Sequence, residues 1–143
     1  MKVLFLDIDG VLRTTGDMDI LETALILNLK RIVEETGVKI VLSSDWRKKN
    51  LYFKMAEQQL GFFGLEIFDV TPILLPGLLS AKCRWQEIKE WLKNKEVERF
   101  VIVDDDVDAM ISEDPDTFFF MDWEKGLTRE KAEEIIKFFL PES

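Results

Sequence analysis

The sequence predicts an α/β fold of the three-layer, Rossmann-like kind, with a central parallel sheet flanked by helices. Three observations predict it. Short apolar, β-prone runs recur at residues 3–6, 38–42, 65–70, 100–103 and 118–120, with stretches of helical periodicity between most of them. The runs Val3-Leu4-Phe5-Leu6 and Phe100-Val101-Ile102-Val103 are apolar throughout rather than alternating, as strands buried on both faces are. Strand, helix and strand in succession form right-handed parallel crossovers, which bring the strand ends to one edge of the sheet.

The first element, KVLFLDIDGVL at residues 2–12, delivers Asp7 and Asp9 where its strand should end, followed by Gly10, which can turn the chain sharply. In an open α/β sheet the crevice beyond the strand carboxyl ends is where ligands bind. Two acids placed there call for a cation or a proton to compensate them. The plainer reading is a strand-end turn with solvated acids. A polar loop over residues 13–19 leads into a helix expected at residues 20–36, where Leu21, Ala24, Leu25, Asn28, Ile32 and Val33 follow helical spacing. Gly37 is its stop. The strand at residues 38–42 ends in Ser43-Ser44-Asp45, with Ser44 or Asp45 suited to cap the helix expected at residues 46–60.

After the strand at residues 65–70, Thr71-Pro72 opens an apolar loop running to Leu79, expected to pack over the site or into the core. Lys82, Cys83 and Arg84 stand just before a helix expected over residues 85–94, with Ile88, Trp91 and Leu92 on its apolar side. Cations beside a helix N-terminus make a good anion site. The strand at residues 100–103 runs directly into Asp104-Asp105-Asp106, with Asp108 close behind. Acids so crowded repel one another unless a hard cation with oxygen ligands relieves them, and Mg²⁺ needs only one or two protein carboxylates besides water and phosphate. Asp104 and Asp105, nearest the strand, are the better ligands; Asp106 and Asp108 can start the next turn. A strand at residues 118–120 and an amphipathic helix at residues 129–140, capped by Thr128 and ended by Pro141, complete the series.

Composition narrows the chemistry. At 143 residues, 47% hydrophobic and 33% charged, the chain is expected to form one soluble globular domain spanning residues 1–143. No apolar run approaches membrane-spanning length, and no signal-peptide pattern precedes the first strand. The single cysteine excludes an internal disulfide and fits a cytoplasmic location. A net charge of −9 argues against a general basic surface for nucleic acid, though not against a local one. With no histidine, His-based triads and His metal sites are excluded, so acid–base chemistry must rest mainly on carboxylates.

The order and spacing of these features resemble the haloacid dehalogenase-like (HAD) hydrolase superfamily. Asp7-Ile8-Asp9-Gly10-Val11 looks like its first motif. Ser43 resembles the second-motif hydroxyl, with Ser44 as a one-residue alternative. Lys82 resembles the third-motif lysine, with Arg84 as a substitute, and Val103-Asp104-Asp105 resembles the acidic fourth motif, with Asp108 as a further acid. A narrower resemblance joins Val41-Leu42-Ser43-Ser44-Asp45-Trp46-Arg47, Thr71-Pro72, Arg84 with Glu87-Ile88 and Trp91-Leu92, and Val103 to Asp106 to small HAD domains, some of them found in nucleic-acid repair contexts.

The resemblance implies a Mg²⁺-dependent phosphatase without a large cap domain. It implies Asp7 as nucleophile and Asp9 as general acid and base, which distinguishes a phosphatase from a dehalogenase. It implies Ser43 and Lys82 as catalytic contacts, with Ser44, Arg84 and Gly10 also near the phosphate. Metal ligands would be Asp7, the main-chain carbonyl of Asp9, and Asp105 with Asp104. The implied partner is a small phosphorylated substrate or a phosphorylated macromolecular end. The alternative is a module that recognises phosphorylated nucleic-acid ends with weak or partner-dependent catalysis.

Overall fold

The computed structural model describes residues 1–16, 19–74, 84–106 and 115–140. Five parallel strands form the sheet: β1 (Lys2–Leu6), β2 (Lys39–Leu42), β3 (Ile67–Val70), β4 (Arg99–Asp104) and β5 (Phe118–Phe120), in the spatial order β3-β2-β1-β4-β5. Among the described residues four α-helices accompany them: α1 (Thr23–Thr36), α2 (Asn50–Phe62), α3 (Arg84–Leu92) and α4 (Arg129–Phe139). The expected α/β architecture is the one observed.

Pleat alternation sorts the core into two layers. Leu4 and Leu6 of β1, Ile40 and Leu42 of β2, and Val101 and Val103 of β4 face one side, where they meet Leu25, Ile26, Leu29 and Ile32 of α1, Ala56 and Leu60 of α2, and Ile135, Ile136 and Phe139 of α4. Val3, Phe5, Val41 and Ile102 face the other side, where they meet Ile88 and Trp91 of α3. Trp91 meets Phe5 edge-on, with ring centroids 5.4 Å apart. The chain moves outward from β1 through β2 to β3, then crosses back under α3 to β4. The strand order therefore reverses between β1 and β4, and the crevice at such a reversal is the expected binding place.

β3 begins at Ile67 rather than residue 65, and three helical segments also differ from expectation. Helix α1 begins at Thr23 rather than residue 20, because the Glu22 amide donates to Leu12 O and the Glu22 carboxylate accepts from both the amide and the hydroxyl of Thr14, at 2.6 Å each. Its buried stripe is Leu25, Ile26, Leu29 and Ile32; Ala24 is exposed and Asn28 instead donates to Leu127 O. The helix expected from residue 46 is divided into a 3₁₀ turn (Asp45–Lys48) and α2, with Lys49 extended between them. Ser44 caps the turn, its hydroxyl accepting from the Trp46 amide, as the reading of Ser44 as a cap anticipated. Arg84 lies within α3 rather than ahead of it. Thr128 caps α4 as expected, accepting from the Lys131 amide. Residues 75–83, which include Lys82 and Cys83, lie outside the described residues, as do Asp108 and Pro141.

Arg47 explains the division. All five of its N–H donors are used: Nη1 to Ser43 O and Ser44 O, Nε to Thr71 O, and Nη2 to Pro72 O and to Glu87 Oε1 at 2.7 Å. The second Glu87 oxygen accepts from the Leu74 amide. One side chain thereby joins the end of β2, the loop after β3 and the middle of α3, with the two charged side chains only 1% and 3% exposed. Removing one member of a buried, hydrogen-bonded ion pair leaves the other charged and without its partner. Arg47→Ala is expected to lower unfolding free energy by about 3–5 kcal/mol, read as a fall in urea midpoint with little change in slope.

Candidate functional site

The parallel ladder continues one residue past the strand ends, and this fixes the first site residues. The Asp7 amide donates to Val103 O, the Ser43 amide to Leu6 O, and the Met121 amide to Asp104 O. Asp7, Ser43 and Asp104 therefore sit side by side at the carboxyl edge of β1, β2 and β4. All three are buried, with Ser43 and Asp104 fully enclosed.

Arg84 enters from α3. It shares the buried face of that helix with Glu87, Ile88 and Trp91, at the i, i+3, i+4 and i+7 spacing of a helix stripe. Its Nη1 donates to Asp104 Oδ2 at 2.8 Å and lies 3.7 Å from Asp7 Oδ2, while Nη2 lies 3.7 Å from Asp45. Arg84, one of the two cations the sequence offers for this position, lies beside the acids; Lys82 is outside the described residues. Among the described residues, two buried polar atoms here have no hydrogen-bond partner, Ser43 Oγ and Arg84 Nε.

Asp7, Asp104 and Asp105 each offer a carboxylate oxygen within 4.8 Å of the others. Three hard oxygen donors converging on one point fit a small divalent cation such as Mg²⁺. Without one, burial holds the Asp7 carboxyl well above the usual carboxylate range, and the Asp104 charge adds to this while Arg84 opposes it. Burial likewise pushes Asp104 up to about 6 despite its bond to Arg84. Burial works against the Arg84 charge, but Asp7 and Asp104 outweigh it and hold the guanidinium protonated more firmly than usual. Asp104 also accepts from the Asp106 amide, so both of its oxygens are engaged, and Asp105 is the more open ligand.

The Asp9 side chain is not in this cluster. It is 56% exposed, and its two oxygens accept from Arg13 Nε at 2.9 Å and Trp46 Nε1 at 3.2 Å. A tight loop presents it: Val11 and Leu12 are buried, their amides return to Ile8 O, and the Gly10 amide donates to Arg13 O. That amide is thus engaged within the loop. Gly10 serves the site by shape: its φ is +80°, and a Cβ there would collide with the Asp105 carboxylate. Ser44 Oγ is occupied as a cap, which leaves Ser43 as the hydroxyl with no partner. Arg47, Glu87, Trp46 and Arg13 have no role assigned from sequence, although three of them lie in the segments that carry the narrower resemblance; their partners in the fold reveal what they do.

Two cavities flank the Asp9–Arg13 pair. One, of about 350 Å³, is bordered by Asp45, Trp46, Lys48, Lys49 and Tyr52; the other, of about 280 Å³, is bordered by Gly10, Thr15, Asp105 and Trp123. The polar loop after β1 forms part of both rims, through Arg13 and Asp19 on one and Arg13 to Gly16 on the other.

Compared with known families, residues 3–132 match the family described as the HAD domain in Swiss Army Knife RNA repair proteins. The chain belongs to that family. The HAD superfamily is of phosphatase type and consists mostly of hydrolases. Neither the curated proteins nor the solved structures give a match. Among the described residues of this HAD domain, no helix is long and apolar enough to cross a membrane.

The buried acids give a pH signature. Asp104 has an ordinary value of 3.8 and a folded value of about 6, so between these the folded state holds the extra proton. Stability then falls as pH rises through that window, at about 1.4 kcal/mol per pH unit for one full proton. In the metal-free protein, the urea midpoint of the wild type is expected to drop relative to Asp104→Asn between about pH 4 and 6. A flat difference across that range would contradict the assignment.

Proposed function

We propose that this HAD domain is a Mg²⁺-dependent phosphatase that removes a phosphate from a phosphomonoester, with RNA ends as the substrate class that its family's description suggests. The observation that carries the reading is the convergence of Asp7, Asp104 and Asp105 on one point beside buried Arg84 at the reversal of strand order. Acids gathered there destabilise the fold in the absence of a compensating cation, and their arrangement suits phosphoryl chemistry.

In the proposed reaction the Asp7 carboxylate attacks phosphorus, the bond to the leaving oxygen breaks, and an aspartyl-phosphate forms. Asp9 gives its proton to the leaving oxygen. It then takes a proton from the water that attacks the aspartyl-phosphate, which releases inorganic phosphate and restores Asp7. The hydrogen bonds from Arg13 and Trp46 orient Asp9 for both transfers. Ser43 Oγ, buried and unpartnered, and Arg84 stabilise the charge carried by the phosphoryl oxygens. The assignment of Lys82 to the same task rests on the family resemblance. Asp7, Asp105 and the Asp9 carbonyl, with Asp104 directly or through water, would hold Mg²⁺, which would supply positive charge to offset the carboxylates and the phosphate. Arg84 at 3.7 Å favours the ionised Asp7 that attack requires. No large cap domain is proposed; the rim loops shape access.

The family's link to RNA repair also favours a second reading, in which the site recognises phosphorylated ends and turns over slowly. A screen of sugar phosphates, nucleotides and 3′- or 5′-phosphorylated oligonucleotides separates the two. Phosphate release is expected, abolished by Asp7→Asn or EDTA and reduced about 10²- to 10⁴-fold by Asp9→Asn; full activity in Asp7→Asn would remove the proposed nucleophile. Mg²⁺ at 100 times its Kd is expected to stabilise the wild type by about 2.7 kcal/mol in thermal unfolding, and Asp105→Asn much less.

A further inference from the structure

We infer that Trp123 is the platform on which the terminal nucleobase of a phosphorylated RNA end stacks. The inference rests on the phosphatase reading and names how its substrate is held. Trp123 is 59% exposed, whereas Trp46 and Trp91 are 5% and 3% exposed. A single exposed aromatic residue is ordinary on a protein surface. What sets this one apart is its place, on the 280 Å³ cavity whose other walls include Asp9, Gly10 and Asp105. A group stacked on this ring lies in the same cavity as the proposed acid–base residue and metal ligand.

The ring is also carried on a backbone fixed to the site. Ahead of it, the Met121 amide donates to Asp104 O; beyond it, the Leu127 amide donates to Val11 O, both at 2.8 Å. Between these anchors the Asp122 side chain accepts from the Glu124 amide, and the Asp122 carbonyl from the amides of Lys125 and Gly126. Gly126, with φ +70°, closes the turn against Val11 O so tightly that a Cβ there would overlap it. The turn is therefore tied to the strand end that bears Asp104 and to the loop that bears Asp9. Such preorganisation lowers the ordering cost of binding.

The surroundings favour a nucleobase over an extended polyanion. An aromatic face accepts any base. Among the described residues bordering the cavity, Arg13 alone is cationic, and it already donates to Asp9 and to Thr15 O. With a net charge of −9 and this one guanidinium already engaged, the cavity suits the terminal nucleotide better than a run of backbone phosphates. Binding should then depend weakly on salt, with a log–log slope near −0.7, about one phosphate contact.

The test compares Trp123→Ala and Trp123→Phe with wild type on two substrates, a short oligoribonucleotide with a terminal phosphate and glycerol phosphate, which has no ring. Trp123→Ala is expected to lower kcat/KM about 5- to 150-fold more for the oligoribonucleotide than for glycerol phosphate, the range for one stacked base, and Trp123→Phe to restore most of it. Equal losses on both substrates, or no loss on either, would overturn the inference while leaving the phosphatase reading intact. Binding is read separately in the Asp7→Asn background with Mg²⁺. The phosphorylated oligoribonucleotide is expected to quench tryptophan fluorescence, and the added Trp123→Phe change to abolish that quenching. If no phosphate ester is hydrolysed yet this quenching occurs, the phosphatase reading fails and the stacking platform stands. Quenching by a phosphotyrosine peptide but not by RNA would overturn the assignment.

Discussion

Arg84 reaches the acids with 7% of its side chain exposed, 2.8 Å from Asp104 and 3.7 Å from Asp7. A charge so enclosed cannot rely on water, so the guanidinium and the carboxylates must answer for one another. They do so incompletely. Fully ionised, Asp7, Asp104 and Asp105 carry three negative charges against one positive on Arg84. The metal-free protein responds by holding protons on Asp7 and Asp104 above the ordinary range. A divalent cation would close the same balance with the acids ionised, the form in which a carboxylate can attack phosphorus.

The position of Arg84 depends in turn on a second buried pair. Arg47 meets Glu87 at the middle of α3, three residues from Arg84 on the same helix face. Arg47 gathers the carbonyls of Ser43, Ser44, Thr71 and Pro72, so the loop that carries Ser43 and the helix that carries Arg84 are set against each other. Trp91, one turn further along α3, adds a bond from its indole to Asp69 of β3 and an edge contact to Phe5 of β1. One face of one short helix thus supplies the cation, its positioning and much of the second core layer.

Much of this was legible in the sequence because it is local. Continuously apolar runs marked β1 and β4, a short apolar run interrupted by Lys39 marked β2, and the polar residues at their ends marked Asp7, Ser43 and Asp104. Ser44 and Thr128 announced their caps. What was not legible depends on partners far apart in the chain. The phase of α1 is set by Glu22 reaching back to Thr14, and the 3₁₀ turn after β2 is held by bonds from Arg47 to residues up to 40 positions away. No periodicity encodes these. Asp9 was recognised from its spacing, but the indole and guanidinium that hold it come from Trp46 and Arg13, residues that read as a helix start and a surface loop.

The ladder bonds that run one residue past β1, β2 and β5 have a consequence for how this sequence can drift. Each strand may exchange one aliphatic residue for another, since only volume and the side it faces matter to the core. Its length is another matter. Side chains alternate between faces, so a single inserted or deleted residue turns an entire strand over and withdraws its terminal acid or hydroxyl from the crevice. Asp7, Ser43 and Asp104 are indexed by counting along three strands that share a common register. Point substitutions therefore test the chemistry of the site residue by residue, whereas a one-residue change of length within these strands would dismantle it at once.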